Sequence, residues 1–259
     1  MNVGVVGYGN LGSSIVDGLV VSNYNGAIYT SKRNWKNTNQ PYPEKVCYTA
    51  SNQDLIENCE IIIIALKPYN VISFLTEFAH LLDASKHTII SVATGITCED
   101  MSNVVKGVDV FRAMPNTAIA VNESITAICE FTDSLERRDV VDTIFQSVGT
   151  VVWINEELME SATVLGACGI AYVLRFMRAM IQGGIEVGFD AKTATQIVAQ
   201  TIKGASQLII ENNSHPEEEI DKVTTPKGCT IVGLNEMEHS GFSSALIKGI
   251  VTSYAKISK

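Results

Sequence analysis

The hydrophobic pattern changes once along the chain. Up to about residue 155, short β-branched runs alternate with stretches whose apolar positions recur every three or four residues; beyond it only the second pattern continues. The run Val3-Gly4-Val5-Val6, a glycine-rich segment and the apolar-periodic residues 11–21 predict strand, tight turn and helix in succession. Further strands are expected at 27–30, 46–49, 61–66, 88–93, 108–112, 124–129 and 150–154, with helices at 51–58, 69–82 and 133–147. Four consecutive isoleucines, Ile61 to Ile64, predict a strand buried on both faces, as in a parallel sheet. Lys67-Pro68 closes it, because proline has no N–H for the ladder. After Glu156 the periodicity predicts helices at 157–165, 169–187, 191–212 and 230–259, the last broken at Gly241. Strand–helix alternation followed by helix alone predicts an α/β domain with a doubly wound sheet over 1–155 and an all-helical domain over 156–259. Small residues such as Gly166, Gly169, Gly183 and Gly184 permit close helix packing. A helical half this apolar is expected to complete its core against a second subunit.

Composition narrows the function classes. Hydrophobic residues make up 46% and charged residues 18% of the 259 positions, a globular balance that excludes a disordered chain. With 19 basic and 28 acidic residues the net charge is −9, which repels phosphate backbones and argues against nucleic acid as a partner. The six cysteines are scattered without a C-x-x-C pair, so no metal site is expected and free thiols of a reducing, cytoplasmic setting are. Met1-Asn2 runs directly into the first apolar segment with no basic stretch, so no signal peptide is expected. The apolar run 61–66 is too short to span a bilayer, and no membrane partner is expected.

The glycines of the first turn carry chemistry. Gly7-Tyr8-Gly9-Asn10-Leu11-Gly12 is G-x-G-x-x-G, placed after a predicted strand and opening a predicted helix, the context of a dinucleotide fingerprint in a Rossmann-like domain. Gly7 permits the turn, Gly9 lets the backbone approach a pyrophosphate, and Gly12 lets helix and strand lie close. The helix start supplies N–H donors, including those of Asn10 and Leu11, to the phosphates. An NAD site wants a carboxylate at the end of the second strand, about 20 residues on, to accept from the ribose 2′-hydroxyl. That place reads Ser31-Lys32-Arg33, a hydroxyl and two cations suited to a 2′-phosphate, so NADPH is the expected cofactor. Three other strand ends carry unusual residues: Lys67-Pro68, Ala93-Thr94-Gly95, and Arg112-Ala113-Met114-Pro115-Asn116-Thr117. They are expected to ring the nicotinamide end, with Lys67 toward its ribose and Met114 as an apolar wall.

Together with Asn52 and the run Val223-Thr224-Thr225-Pro226-Lys227-Gly228-Cys229-Thr230-Ile231, these segments resemble the pyrroline-5-carboxylate reductase family along nearly the whole chain. The resemblance implies NADPH-linked reduction of 1-pyrroline-5-carboxylate to proline, and an NADP-binding domain followed by a helical dimerisation and substrate domain. It also implies homodimers that assemble further into rings. It assigns Asn52, Lys67 and Pro68 to the cofactor and Gly228, Cys229 and Thr230 to the substrate carboxylate; from their own places in the chain, Ala93 and Met114 are expected at the cofactor, Asn116 at the substrate, and Thr230 near the reacting imine nitrogen. The turn before Thr230 is a ready carboxylate site in its own right, since it presents free N–H groups at a helix start.

The chain also departs from the family. The usual S-G-S-G-P-A-Y segment reads Gly166-Ala167-Cys168-Gly169-Ile170-Ala171-Tyr172, and Lys227 replaces a glycine. Two alternatives therefore stand beside the first reading: a reductase of another small cyclic imine or carbonyl, and a non-catalytic NADP(H)-binding protein. His80, His87, His215 and His239 are dispersed, with His215 expected to cap or be solvated. No catalytic triad or metal-ligand spacing is expected, which suits imine reduction, a reaction that places little demand on a protein acid.

Overall fold

The computed structural model of the chain describes residues 1–35, 38–131 and 134–257. Among them eight strands, β1 (Val3–Val6), β2 (Ile28–Ser31), β3 (Val46–Thr49), β4 (Ile61–Ile64), β5 (Thr88–Ser91), β6 (Asp109–Met114), β7 (Ser124–Phe131) and β8 (Gly149–Trp153), form one sheet. Its order is β3-β2-β1-β4-β5-β6-β7-β8. The first six strands are parallel, the doubly wound arrangement; β7 runs antiparallel to β6, and β8 parallel to β7. The reversal at β7 follows from its connection, which is no crossover helix but a short 3-10 turn, Thr117–Val121, ended by Asn122 in the left-handed region.

The isoleucine strand shows why the sheet is a core. Ile61 and Ile63 enter one apolar cluster with Val3, Val5 and Leu19; Ile62 and Ile64 enter the other with Leu55, Val71 and Met101. Alternate side chains of a strand point to opposite faces, so a run apolar at every position requires cover on both. Helices α1 (Asn10–Val21) and α5 (Leu135–Gln146) line the first cluster, and α2 (Asn52–Asn58), α3 (Pro68–Phe78) and α4 (Cys98–Val104) the second. The strands after 61 and 88 stop two residues short of the expected ends. Asp133, the first residue of the helix expected at 133–147, lies outside the described residues, as does Lys259, the last of the helix expected at 230–259.

Beyond β8 the chain is helical. A 3-10 turn (Glu156–Leu158), α6 (Met159–Ala162), a π-helical turn (Thr163–Cys168) and α7 (Gly169–Glu186) run without a break. Then come α8 (Ala191–Asn212), α9 (Pro216–Val223), α10 (Cys229–His239) and α11 (Phe242–Ile257). The chain divides into two compact units, Met1–Ile170 with the residues from Tyr254 on, and Ala171–Ser253. The sequence pattern changes at 156, whereas the packing divides at 170. The interval belongs with the sheet, because Met159 is fully buried in the second cluster and Glu156 and Glu160 pair with Arg112 of β6.

The second unit has little interior of its own. Among its described helical residues only Ala194 and Val198 are buried. Tyr172 Oη lies 2.6 Å from Ser253 Oγ, and the rings of Phe176 and Phe242 are 5.8 Å apart. Glu156–Glu186 is long and apolar enough, by length and composition, to cross a membrane, a stretch the sequence reading did not weigh.

Candidate active site

The fingerprint turn is built by three glycines in different ways. Gly7 sits at φ +99°, where an L side chain is strained, and a Cβ there would come within 2.7 Å of the Ala65 carbonyl oxygen. At Gly12 a Cβ would run into the Gly7 carbonyl oxygen. Gly9 faces open space and precedes α1 without a side-chain cap, and the first turn of α1 holds no acid. The leading N–H groups of α1, near Asn10 and Leu11, are thus left to an outside acceptor.

Beside this turn lies a cavity of about 320 Å³, lined among others by Gly7, Ser31, Lys32, Arg33 and Asn52. The Gly7 N–H donates to the Ser31 carbonyl at 3.0 Å, which fixes the glycine turn against the end of β2. Ser31 Oγ donates to Asn52 Oδ1 at 2.7 Å, and Lys32 Nζ to Thr38 Oγ1 at 2.9 Å, while Arg33 is exposed. The cavity's single carboxylate, the exposed Glu77, is outnumbered by the two cations. An uncapped helix start, a backbone bare of side chain at Gly9 and a hydroxyl with two cations fit a dinucleotide bearing a 2′-phosphate.

A brace for the basic loop escaped the sequence reading. Tyr8, inside the fingerprint, stands 5.2 Å from the Trp35 ring and 5.9 Å from that of Tyr48. Trp35 also donates from Nε1 to the Thr49 carbonyl at 2.8 Å. Only the folded sheet brings the turn after β1, the loop after β2 and β3 together, so the available signal was no more than three separate aromatics, one inside the fingerprint, one just past the basic pair and one in the third strand.

At the other strand ends the expected residues are placed unequally. Lys67 is exposed and N-caps α3, with Pro68 as its first residue. Ala93 and Met114 are nearly fully buried in the second core cluster. Arg112, expected as the last residue of its strand, lies inside β6, which continues through Ala113 and Met114, so the loop begins at Pro115. Its side chain is 2% exposed and forks to Glu156 at 2.9 Å and Glu160 at 3.0 Å. Burial alone would lower the pKa of this guanidinium, and the hydrogen bonds it donates to the Glu156 and Glu160 carboxylates, with their charge, outweigh burial and raise the pKa. Asn116 is committed to the fold: its Oδ1 accepts from Ala118 N–H at 3.0 Å and its Nδ2 donates to the Gly166 carbonyl at 3.2 Å.

In the second unit, Gly228 precedes α10 without a side-chain cap, and Cys229 and Thr230 open that helix, both exposed. The left-handed residue of the turn is Lys227, at φ +61°, whereas Gly228 has ordinary extended backbone at φ −70°. Gly228 is needed for space instead, since a Cβ there would lie 2.6 Å from Thr225 Oγ1. His215 caps α9, accepting from Glu217 N–H at 3.2 Å. The segment that departs from the family overlaps the π-helical turn Thr163–Cys168, a geometry that recurs at functional sites.

The parallel order of β3-β2-β1-β4-β5-β6 and the glycine turn at β1, its point of reversal, define a Rossmann-type dinucleotide-binding oxidoreductase. The NADP oxidoreductase, coenzyme F420-dependent family matches residues 2–95, and the pyrroline-5-carboxylate reductase dimerisation family matches residues 156–259. The chain belongs to the pyrroline-5-carboxylate reductases. It is 44% identical over 98% of its length to pyrroline-5-carboxylate reductase 1 of Dictyostelium discoideum, of which it spans 49%. It is 40% identical over its whole length to reductase 2 of the same organism, of which it spans 92%. Among solved structures, the Plasmodium falciparum pyrroline carboxylate reductase with NADP bound superposes with a TM-score of 0.88 at 27% identity, over 99% of this chain and 96% of that one.

Proposed function

We propose that this chain reduces 1-pyrroline-5-carboxylate to proline with NADPH. The strongest support is the relationship to reductase 2, 40% identical from end to end and nearly equal in length. NADPH would supply the hydride. The backbone N–H groups at the start of α1 and the Ser31, Lys32 and Arg33 side chains would hold its phosphates. Hydride adds to the imine carbon as the C=N double bond becomes single, and the nitrogen keeps the proton it took from water beforehand. The protein's part is therefore placement and charge rather than proton transfer. The N–H groups of Cys229 and Thr230 and the Thr230 hydroxyl would hold the substrate carboxylate, with the Lys227 charge beside them, whereas the Gly228 N–H donates to the Thr225 carbonyl at 2.9 Å and serves to close the turn. Asn116 keeps the loop after β6 in shape on the substrate side.

The reading extends to assembly and place. A dimer is supported by the dimerisation-family match and by the exposed apolar helices over the same residues. A reducing, cytoplasmic setting is supported by six cysteines that are all free. Full-length protein mixed with NADPH and pyrroline-5-carboxylate tests the proposal through loss of nicotinamide absorbance. Turnover is expected; NADPH binding without turnover overturns it. The altered segment 166–172, overlapping the π-helical turn, favours a second reading, a different small cyclic imine, which a substrate panel in the same assay decides.

A further inference from the structure

A second cavity, about 1090 Å³ and sharing no wall with the first, is lined by five glutamates and two arginines, so its field favours cations. Cys129 of β7 lines it, and Cys98, the first residue of α4, lies behind with its Sγ 4.0 Å from that of Cys129. The two sulfurs and a Glu156 carboxylate oxygen all lie within 4.8 Å of one another. We propose that Cys98, Cys129 and Glu156 form a site for one thiophilic divalent cation of the zinc class, its fourth position open to the cavity.

Sulfurs bound to zinc at about 2.3 Å in a tetrahedron stand about 3.8 Å apart, so the observed pair needs little adjustment. The three ligands come from three elements that the fold already fixes. The Thr97–Asp100 capping box holds the start of α4, and β7 lies within the sheet. Glu156 is oriented by Arg112 Nη1 at 2.9 Å and the Cys98 N–H at 2.8 Å, both donating to its Oε1. Such outer partners set a ligand's direction and restrain it before the ion arrives. On binding, the ion displaces two thiol protons to solvent, and two thiolates with the Glu156 carboxylate balance its charge and that of Arg112. The absence of a C-x-x-C pair hides this site in the sequence, because its cysteines meet only across the fold.

Cobalt(II), a spectroscopic stand-in for zinc, tests it on the reduced, metal-free full chain under argon. One equivalent should give a thiolate-to-cobalt band in the near ultraviolet and the visible bands of a tetrahedral ion, and one equivalent of zinc should bleach both. Cys98→Ser and Cys129→Ser should each abolish the bands, and Cys47→Ser should leave them. On the unaltered protein, zinc should also protect Cys98 and Cys129 from slow alkylation, read by peptide mass, which needs no variant to fold. A thiolate-free spectrum overturns the proposal, as do bands that survive in the Cys98→Ser/Cys129→Ser protein. Equal alkylation with and without zinc, or air oxidation to a Cys98–Cys129 disulfide by a reduced protein that takes up no metal, also overturns it.

Discussion

His87 is 3% exposed, and both its ring nitrogens are committed: Nδ1 accepts from the Asp83 N–H at 2.8 Å, and Nε2 donates to the Ile56 carbonyl at 3.1 Å. That pattern holds the neutral ring. Burial pushes its pKa below the ordinary 6.5 and Lys86 adds to this, against the opposing pull of the Ile56 carbonyl and the Asp83 carboxylate. As pH falls through 6.5 the unfolded chain takes up the proton first, so stability declines from there until the folded pKa is reached, and is flat below it. Urea unfolding at pH 7.5 and 5.5 should show this loss, and His87→Gln should shrink the difference between the two; an undiminished difference removes His87 as its source. At the cofactor, replacing Lys32 and Arg33 together by alanine should raise the KM for NADPH by roughly tenfold to a hundredfold, about 1.5–3 kcal/mol of charge-assisted hydrogen bonding, with NADH nearly unaffected. Equal losses for both cofactors would refute a 2′-phosphate role. Thr230→Val should cost substrate handling a similar factor without changing the KM for NADPH. The glycine turn and the basic pair could be read in the sequence because their demands are local: a left-handed φ, a bare backbone, a charge at a strand end. Arg112 and Lys227 could not. The guanidinium's partners sit far along the chain, and Gly228 is there for the space beside Thr225 while the left-handed conformation falls to Lys227.

At the scale of elements, legibility followed apolar content. The isoleucine strand and the long helix α8 stand where the hydrophobic pattern puts them, since each buries a side-chain set with the period of its own structure. Helices α4 and α9 are absent from that pattern. Both are short and polar, Cys-Glu-Asp-Met-Ser-Asn-Val and Pro-Glu-Glu-Glu-Ile-Asp-Lys-Val, and are marked by their ends rather than their faces. For α4 the mark is a capping box: Thr97 Oγ1 accepts from the Asp100 N–H at 3.0 Å, and Asp100 Oδ2 accepts from the Thr97 N–H at 3.1 Å. Hydrogen bonding of the Asp100 carboxyl with the Thr97 side chain and with the Thr97 backbone N–H holds it below its ordinary pKa. With only two turns and two buried side chains, Cys98 and Met101, α4 leans on this cap more than a longer helix would. Thr97→Ala should therefore destabilise the protein by about 1 kcal/mol, within roughly 0.5–2 kcal/mol, and Thr97→Ser by much less. Denaturant midpoints of the two variants check this, and equal losses would locate the effect in the threonine methyl rather than the hydroxyl.

For the whole molecule the imbalance between the two units sets the question. The sheet unit buries a two-sided core, whereas helices α7, α9, α10 and α11 bury no residue at all among those described. Their apolar side chains lie open: Leu174 is 56% exposed, Ile247 60% and Val251 59%. A monomer in water would leave these apolar side chains exposed on helices α7 and α11. The same apolar character lets Glu156–Glu186 pass for a membrane span by composition, yet Arg175 and Arg178 fall within it, and the dimerisation family covers residues 156–259. Burying a full side chain of this class is worth about 1.5–3 kcal/mol, so a handful per subunit is comparable to the 5–15 kcal/mol by which a whole domain is stable. In the proposed dimer the folded helical unit and its association are one equilibrium, so stability would depend on protein concentration. Thermal midpoints should rise as the chain is concentrated, and sedimentation should give a dimer or a multiple of it even in dilute solution. Charging the exposed surface with Leu174→Glu and Val251→Glu should lower the helical signal along with the mass, while the NADPH-binding sheet unit stays folded. A monomer of undiminished helicity and activity, with a midpoint independent of concentration, would show that the unit closes its own core.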